Sequence, residues 1–214
     1  MTETTHRDQI CALAKSMYDR GLTAGASGNI SVRLEDGSLL VTPTGACFGR
    51  LDPARLSHLD AGGRLLSGDA PTKEMPLHAA FYETRARTGA VVHLHSSHSV
   101  ALSMLDGHDP DCFLPPLTAY SVMRLGKVSL LPYFRPGDPA MGEAVRSLAG
   151  KRSAVMLANH GPVVAGLELE AAVFAIEELE ETAKLAMMLR GLKPNLLTDL
   201  HISDLKTHFN IDWD

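Results

Sequence analysis

Two histidines separated by one residue, behind an apolar run, constrain this chain more than any other stretch: Ala90 to Ser99 reads AVVHLHSSHS. Side chains at i and i+2 of a strand leave the same face, so His93 and His95 are expected to converge on one point. Two imidazoles alone hold a transition metal poorly. A closed site needs further ligands from elsewhere in the chain.

The chain has 214 residues, of which 45% are hydrophobic and 21% charged, enough to bury a full core. One domain spanning 1–214 is the expectation. The formal net charge of −5, with no basic block, argues against nucleic acid and anionic membrane surfaces as partners. No run approaches the roughly 18 apolar residues of a membrane span, and the N-terminus is polar, so a cytoplasmic location is expected. Cys11, Cys47 and Cys112 are far apart, which supports neither a disulfide framework nor a thiolate metal site.

Ile10, Leu13, Ala14, Met17 and Tyr18 recur at helical spacing, and Gly21 stops the helix they predict. Residues 30–34 and 38–42 alternate around a Glu35-Asp36-Gly37 turn, as a hairpin does. Asp52-Pro53 opens a short helix, followed by a strand and a turn at 61–63. PTKEMPLH, from Pro71, leads into a helix to about Arg87, with Thr72 or Lys73 near its cap. Further helices are expected over 96–105, to about Leu148, and over 168–189, with strands at 128–134, 153–158 and 163–165. The charges Glu177, Glu178, Glu180, Glu181 and Lys184 read as a solvated helix side, and 198–213 as a polar tail. Strands interspersed with helices, without a strict βαβ rhythm, point to a layered α/β/α domain whose central sheet is largely antiparallel or mixed.

Two kinds of partner for the histidine pair stand out. Glu74, at a helix start about fifteen residues earlier, is either a carboxylate complementing the helix dipole or a ligand and acid/base. His160, at a strand end before Gly161, is a candidate third nitrogen. Glu74, His93, His95 and His160 would suit Zn²⁺ and accept Mn²⁺, Fe²⁺ or Co²⁺. The turns 26–29 and 42–45 sit at neighbouring ends of the predicted hairpin. Gly28, Asn29, Thr44 and Gly45 could line an anion nest there, with Thr72 and Lys73 on the next helix N-terminus as a third wall. A metal beside an anion nest suggests a phosphorylated hydroxy-ketone as substrate.

The motifs ASGNIS, TPTG, PTKE, VVHLHS and NHG, in that order from Gly25 to about Leu189, resemble the class II aldolase/adducin family. By that resemblance Gly28, Asn29, Thr44, Gly45, Thr72 and Lys73 fall at phosphate-binding positions. Glu74 falls at the acid/base and exchangeable ligand, and His93, His95 and His160 at the metal. The resemblance implies one divalent cation per subunit, and a homotetramer with sites between subunits. Tyr120 lies roughly where family members use a tyrosine, and is either an acid serving the neighbouring subunit or a structural tyrosine. Sugar-phosphate aldolases of the family often carry two serines before the glutamate, and here Thr72-Lys73 stands instead, a fixed cation suited to a second anionic group such as a carboxylate. PTKEMPLH, LPYFRPGDPA and LANHGPVVAG look most like the branch that decarboxylates 3-oxo-tetronate 4-phosphates, through a metal-stabilised enediolate, to dihydroxyacetone phosphate and CO₂. Arg135 is either a further carboxylate contact or a surface residue. The alternatives are a sugar-phosphate aldolase or epimerase of the fuculose-phosphate aldolase type, and a non-catalytic adducin-like interaction module.

Overall fold

The structure, a computed structural model, describes residues 1–211 and 213. Its strands are β1 (Asn29–Arg33), β2 (Leu39–Val41), β3 (Ser57–Leu59), β4 (Leu65–Ser67), β5 (Ala90–His93), β6 (Ser129–Leu131), β7 (Ala154–Leu157) and β8 (Gly161–Gly166). They form one sheet in the order β4-β3-β2-β1-β5-β8-β7-β6. Only the β6–β7 pair is parallel among the described residues; every other neighbour pair is antiparallel. The sheet is therefore mixed and largely antiparallel, as expected from the sequence.

The helices are α1 (Glu3–Asp19), α2 (Met75–Thr84), α3 (Ser97–Ser103), α4 (Ala119–Leu125), α5 (Ala140–Ser147), α6 (Leu169–Met188) and α7 (Asp199–Phe209). Strand alternation sorts them into layers. Ile30, Val92, Met156 and Val164 point to one face, where they pack with Ile10 and Met17 of α1, Leu102 of α3 and Val173 and Ile176 of α6. Val91, Val155 and Val163 point to the other, against Leu77 and Phe81 of α2 and Met141 and Val145 of α5. Burying each such side chain contributes about 1.5–3 kcal/mol, so β5, buried at all four positions, is anchored from both faces.

Several expectations change. Strand β5 ends at His93, leaving His95 beyond it. The Leu94 N–H still reaches the Pro162 carbonyl at 3.2 Å, but proline has no N–H to return the second bond of that pair. Helix α2 starts later than expected, with Glu74 rather than Thr72 or Lys73 as its N-cap. The tail is partly helical: Thr198 and His201 form a reciprocal capping box that starts α7. Helix α4, capped by the Thr118 side chain, has no counterpart in the sequence reading. Glu180 is buried rather than solvated, and its carboxylate accepts the main-chain N–H groups of His98 and Ser99 at the start of α3, at 2.9 Å each. That ties α6 to the segment that follows the two histidines.

The β7–β8 hairpin turns through Ala158, Asn159 and His160, with Asn159 in the left-handed region at φ 56°. Gly161 then passes so close to β5 that a Cβ there would lie 2.1 Å from the Leu94 carbonyl oxygen. Gly161→Ala is expected to cost about 1–3 kcal/mol through forced separation of β5 and β8, read as a fall in the urea midpoint.

Candidate metal centre

The centre lies where α2 begins and β5 and β8 meet. His93 is odd-numbered on β5, like Val91, and so faces α2. Glu74 precedes α2 on that face, but its side chain does not cap the helix. Forgoing a cap sacrifices about 1 kcal/mol of helix stability. The carboxylate instead turns to the imidazoles. One ligand atom from each of Glu74, His93, His95 and His160 lies within 4.8 Å of the others. His93 Nε2 is 3.0 Å from His95 Nε2 and 3.4 Å from Glu74 Oε2, and His160 Nε2 is 3.4 Å from Glu74 Oε1. The three rings meet edge to face at centroid separations of 4.7–4.9 Å.

The donor set fits a divalent cation. His93 Nδ1 lies 2.9 Å from the Pro162 carbonyl, which can only accept, so Nδ1 carries the proton and the Nε2 lone pair faces inward. Glu74 Oε1 and both ring nitrogens of His160 are buried without a hydrogen-bond partner among the described residues. Such unmet polar atoms are costly unless something binds them. Burial, and then the neighbouring imidazoles His95 and His160, hold His93 well below the ordinary histidine range. Burial and then His160 lower His95. Burial lowers His160, with Glu74 opposing it. All three are thus neutral at pH 7, the form in which imidazole binds metal.

The turns proposed for anion binding also come together. Asn29 pairs with His93 across β1 and β5, and Pro43 bridges to Pro71, so 26–29 adjoins the cluster and 43–45 lies beside the segment that leads into Glu74. Gly28, at φ 85°, approaches β5 closely: a Cβ there would lie 2.9 Å from the His93 carbonyl. Gly45 also takes a left-handed φ, of 68°, and a Cβ there would meet nothing within 4 Å. The Thr44 N–H is committed to the Ala70 carbonyl, leaving its hydroxyl as the donor. Thr72 is buried and its hydroxyl oxygen accepts the Glu74 N–H at 3.3 Å. Lys73 is exposed and forms no salt bridge among the described residues. A Cβ on Gly137 would be 3.3 Å from Lys73 Cβ, so the loop carrying Arg135 rests against Lys73. Tyr120 stands apart from the four ligands' hydrogen bonds. It is 61% exposed on α4, with the Arg124 guanidinium 6.0 Å from its ring.

Two residues escape sequence reasoning. His78, one helical turn beyond Glu74, reads from the sequence as a less attractive ligand because it is expected to point along the helix. It is not a ligand, yet it is wholly buried beside the centre, with Nε2 2.5 Å from Asn29 Oδ1. The signal was its i+4 spacing from Glu74. His98, in the first turn of α3, is held by Glu180, with Nδ1 2.8 Å from the carboxylate.

His95→Ala is expected to lower bound metal from about one ion per chain to near zero, measured by elemental analysis after gel filtration. Acid should also destabilise the metal-free protein. Burial takes His78 down to about 3 from its ordinary 6.5, so below pH 6.5 the unfolded chain binds a proton that the folded chain refuses. Stability from this group is complete above pH 6.5 and is lost as pH falls toward 3, at about 1.4 kcal/mol per pH unit. Chemical denaturation at pH 7.5 and 5.5 measures it.

Residues 8–187 match the class II aldolase and adducin N-terminal domain family. The chain is 49% identical over 208 residues to a 3-oxo-tetronate 4-phosphate decarboxylase of Haemophilus influenzae, covering 96% of this chain and 98% of that protein. It is 33% identical to an L-fuculose phosphate aldolase of Methanococcus maripaludis, over 86% of this chain and 96% of the relative. The crystal structure of YgbL from Escherichia coli superposes with a TM-score of 0.93 at 46% identity, covering 95% of this chain and 99% of that one. The chain belongs to the class II aldolase and adducin family.

Proposed function

We propose that this protein is a metal-dependent carboxy-lyase that converts 3-oxo-tetronate 4-phosphate to dihydroxyacetone phosphate and CO₂. The observation that carries the reading is the near-full-length likeness to a decarboxylase of that name, at well above the identity to the aldolase. The buried cluster of three neutral imidazoles and a carboxylate supports it chemically.

Glu74, His93, His95 and His160 would hold the cation, Zn²⁺ by the preference of a nitrogen-rich set. When bound, it supplies Lewis-acid stabilisation of negative charge on the substrate oxygens. The rest of the site binds and directs. Gly28, Asn29, Thr44, Gly45 and Thr72 receive the phosphate, and Lys73, with Arg135 on the adjoining loop, receives the carboxylate. The carboxylate is β to the ketone. When its bond to C2 breaks, the electron pair enters C2–C3 and CO₂ departs, leaving the enediolate of the three-carbon product. Glu74 relays a proton to C2, completing dihydroxyacetone phosphate. Tyr120, exposed at the surface, acts as the acid from a neighbouring copy in a homotetramer. The reading places the enzyme in the cytoplasm. Among the described residues no helix is long and apolar enough to cross a membrane.

An aldolase would reach the same enediolate by releasing an aldehyde, so product analysis separates the two. Incubation with 3-oxo-tetronate 4-phosphate should release CO₂, and L-fuculose 1-phosphate should yield little aldehyde. The reverse pattern rejects the decarboxylase reading. Glu74→Gln is expected to keep most of the metal while turnover falls by about 10²-fold or more. Near-wild-type turnover would exclude the acid/base role. Lys73→Ala should raise KM for the acid phosphate about tenfold and leave metal content unchanged.

A further inference from the structure

The face of β1 that meets α2 carries a chain of hydrogen bonds that the proposed reaction does not by itself require. Asn29 and Ser31 are two apart on β1, opposite His93 and Val91, and so share the face that looks at α2. Glu74, His78 and Tyr82 are spaced four apart and so stack along one side of that helix. The two rows interlock. Asn29 Nδ2 donates to Glu74 Oε2 at 2.7 Å, and Asn29 Oδ1 lies 2.5 Å from His78 Nε2. His78 Nδ1 lies 2.7 Å from Ser31 Oγ, which lies 2.8 Å from the Tyr82 hydroxyl.

With the buried His78 ring neutral, only one assignment of protons satisfies every link. A carboxylate accepts, so the Asn29 NH₂ must face Glu74 and its carbonyl must face His78. His78 Nε2 therefore carries hydrogen, and in a neutral ring Nδ1 accepts from Ser31. Ser31 Oγ then accepts from Tyr82. His78 and Ser31 are both fully buried, so no water competes for these positions.

We propose that His78 and Ser31 are positioning residues: with its Nε2–H donated to the Asn29 carbonyl and its Nδ1 anchored by the Ser31 hydroxyl, His78 locks the Asn29 amide so that it tethers Glu74 Oε2 and leaves Oε1 as the oxygen that handles the proton. Oε1 is the buried carboxylate oxygen that has no hydrogen-bond partner among the described residues. The tether sets the angle at which Oε1 meets substrate, while the three histidines retain the metal. This use of Glu74 rests on the acid/base reading above.

The test compares His78→Leu, which removes the donor, with His78→Gln, whose amide can donate to Asn29 and accept from Ser31. His78→Leu should lower kcat on the order of 10- to 100-fold, with KM and Zn²⁺ affinity each within about threefold of wild type, and His78→Gln should restore most of kcat. A Leu variant with unchanged kcat, a Gln variant as slow as the Leu variant, or Zn²⁺ affinity falling in step with kcat each overturns the proposal. Should His78→Leu not fold, Ser31→Ala removes only a hydroxyl. It should slow kcat while the Asn29 carbonyl keeps the Nε2–H tautomer, and an unchanged kcat or an Nδ1–H tautomer overturns the proposal. Independently of turnover, ¹⁵N spectra of histidine-labelled wild type at pH 7.5 should show His78 as the neutral Nε2–H form. Detection of imidazolium or the Nδ1–H form overturns the proposal. If wild type releases no CO₂ while the spectra show Nε2–H, the decarboxylase reading fails and the tether stands.

Discussion

His93 is wholly buried and has two further imidazoles and a carboxylate around its inner nitrogen. A protonated ring there would have to shed its hydration beside His95 and His160, so the ring stays neutral. A neutral ring has one donor and one acceptor, and the Pro162 carbonyl takes the donor. The remaining lone pair points into the cluster, where the nearest groups are the other two imidazoles and a carboxylate. A central cation would resolve that arrangement, and much of the surrounding structure brings the four groups together: β8 supplies Pro162, the β7–β8 turn supplies His160, and Glu74 stands at the start of α2.

Helix α2 does two jobs that conflict at its first residue. Its apolar side, with Leu77 and Phe81, packs on the sheet through Val91 and Val163. Its N-cap carboxylate would ordinarily satisfy a free N–H of the first turn. Glu74 leaves that task and faces the histidines. Asn29 compensates with a charge-assisted hydrogen bond to a carboxylate that would otherwise lose its hydration with too few partners. The same side chain thus explains both why a carboxylate tolerates 7% exposure and how its two oxygens come to differ.

Decarboxylation and aldol cleavage share an electron sink, so the cluster alone does not choose between them. The choice falls to groups that recognise what leaves. A departing carboxylate is anionic before the bond breaks and neutral CO₂ afterwards. A cation such as Lys73, with the Arg135 loop resting against it, can bind the acid without retaining the product.

Much of the centre was legible because local rules carry it. The period of two in AVVH, the spacing of the two histidines, the helix start at PTKE and the glycine after His160 are all short-range features, and they singled out the four residues that the structure gathers into one cluster, with turns beside it. Local rules also supplied the mixed sheet between helical layers. Tertiary structure decided the remainder. Pairing with Pro162 ends β5 before His95, and a buried contact with α3 turns Glu180 from a surface charge into a cap. His78 gains its role only because β1 lies beside β5 and sets Asn29 and Ser31 opposite α2. Periodicity states which face a side chain leaves by. Which polar groups meet it there depends on long-range strand order, and that order follows from packing the whole core.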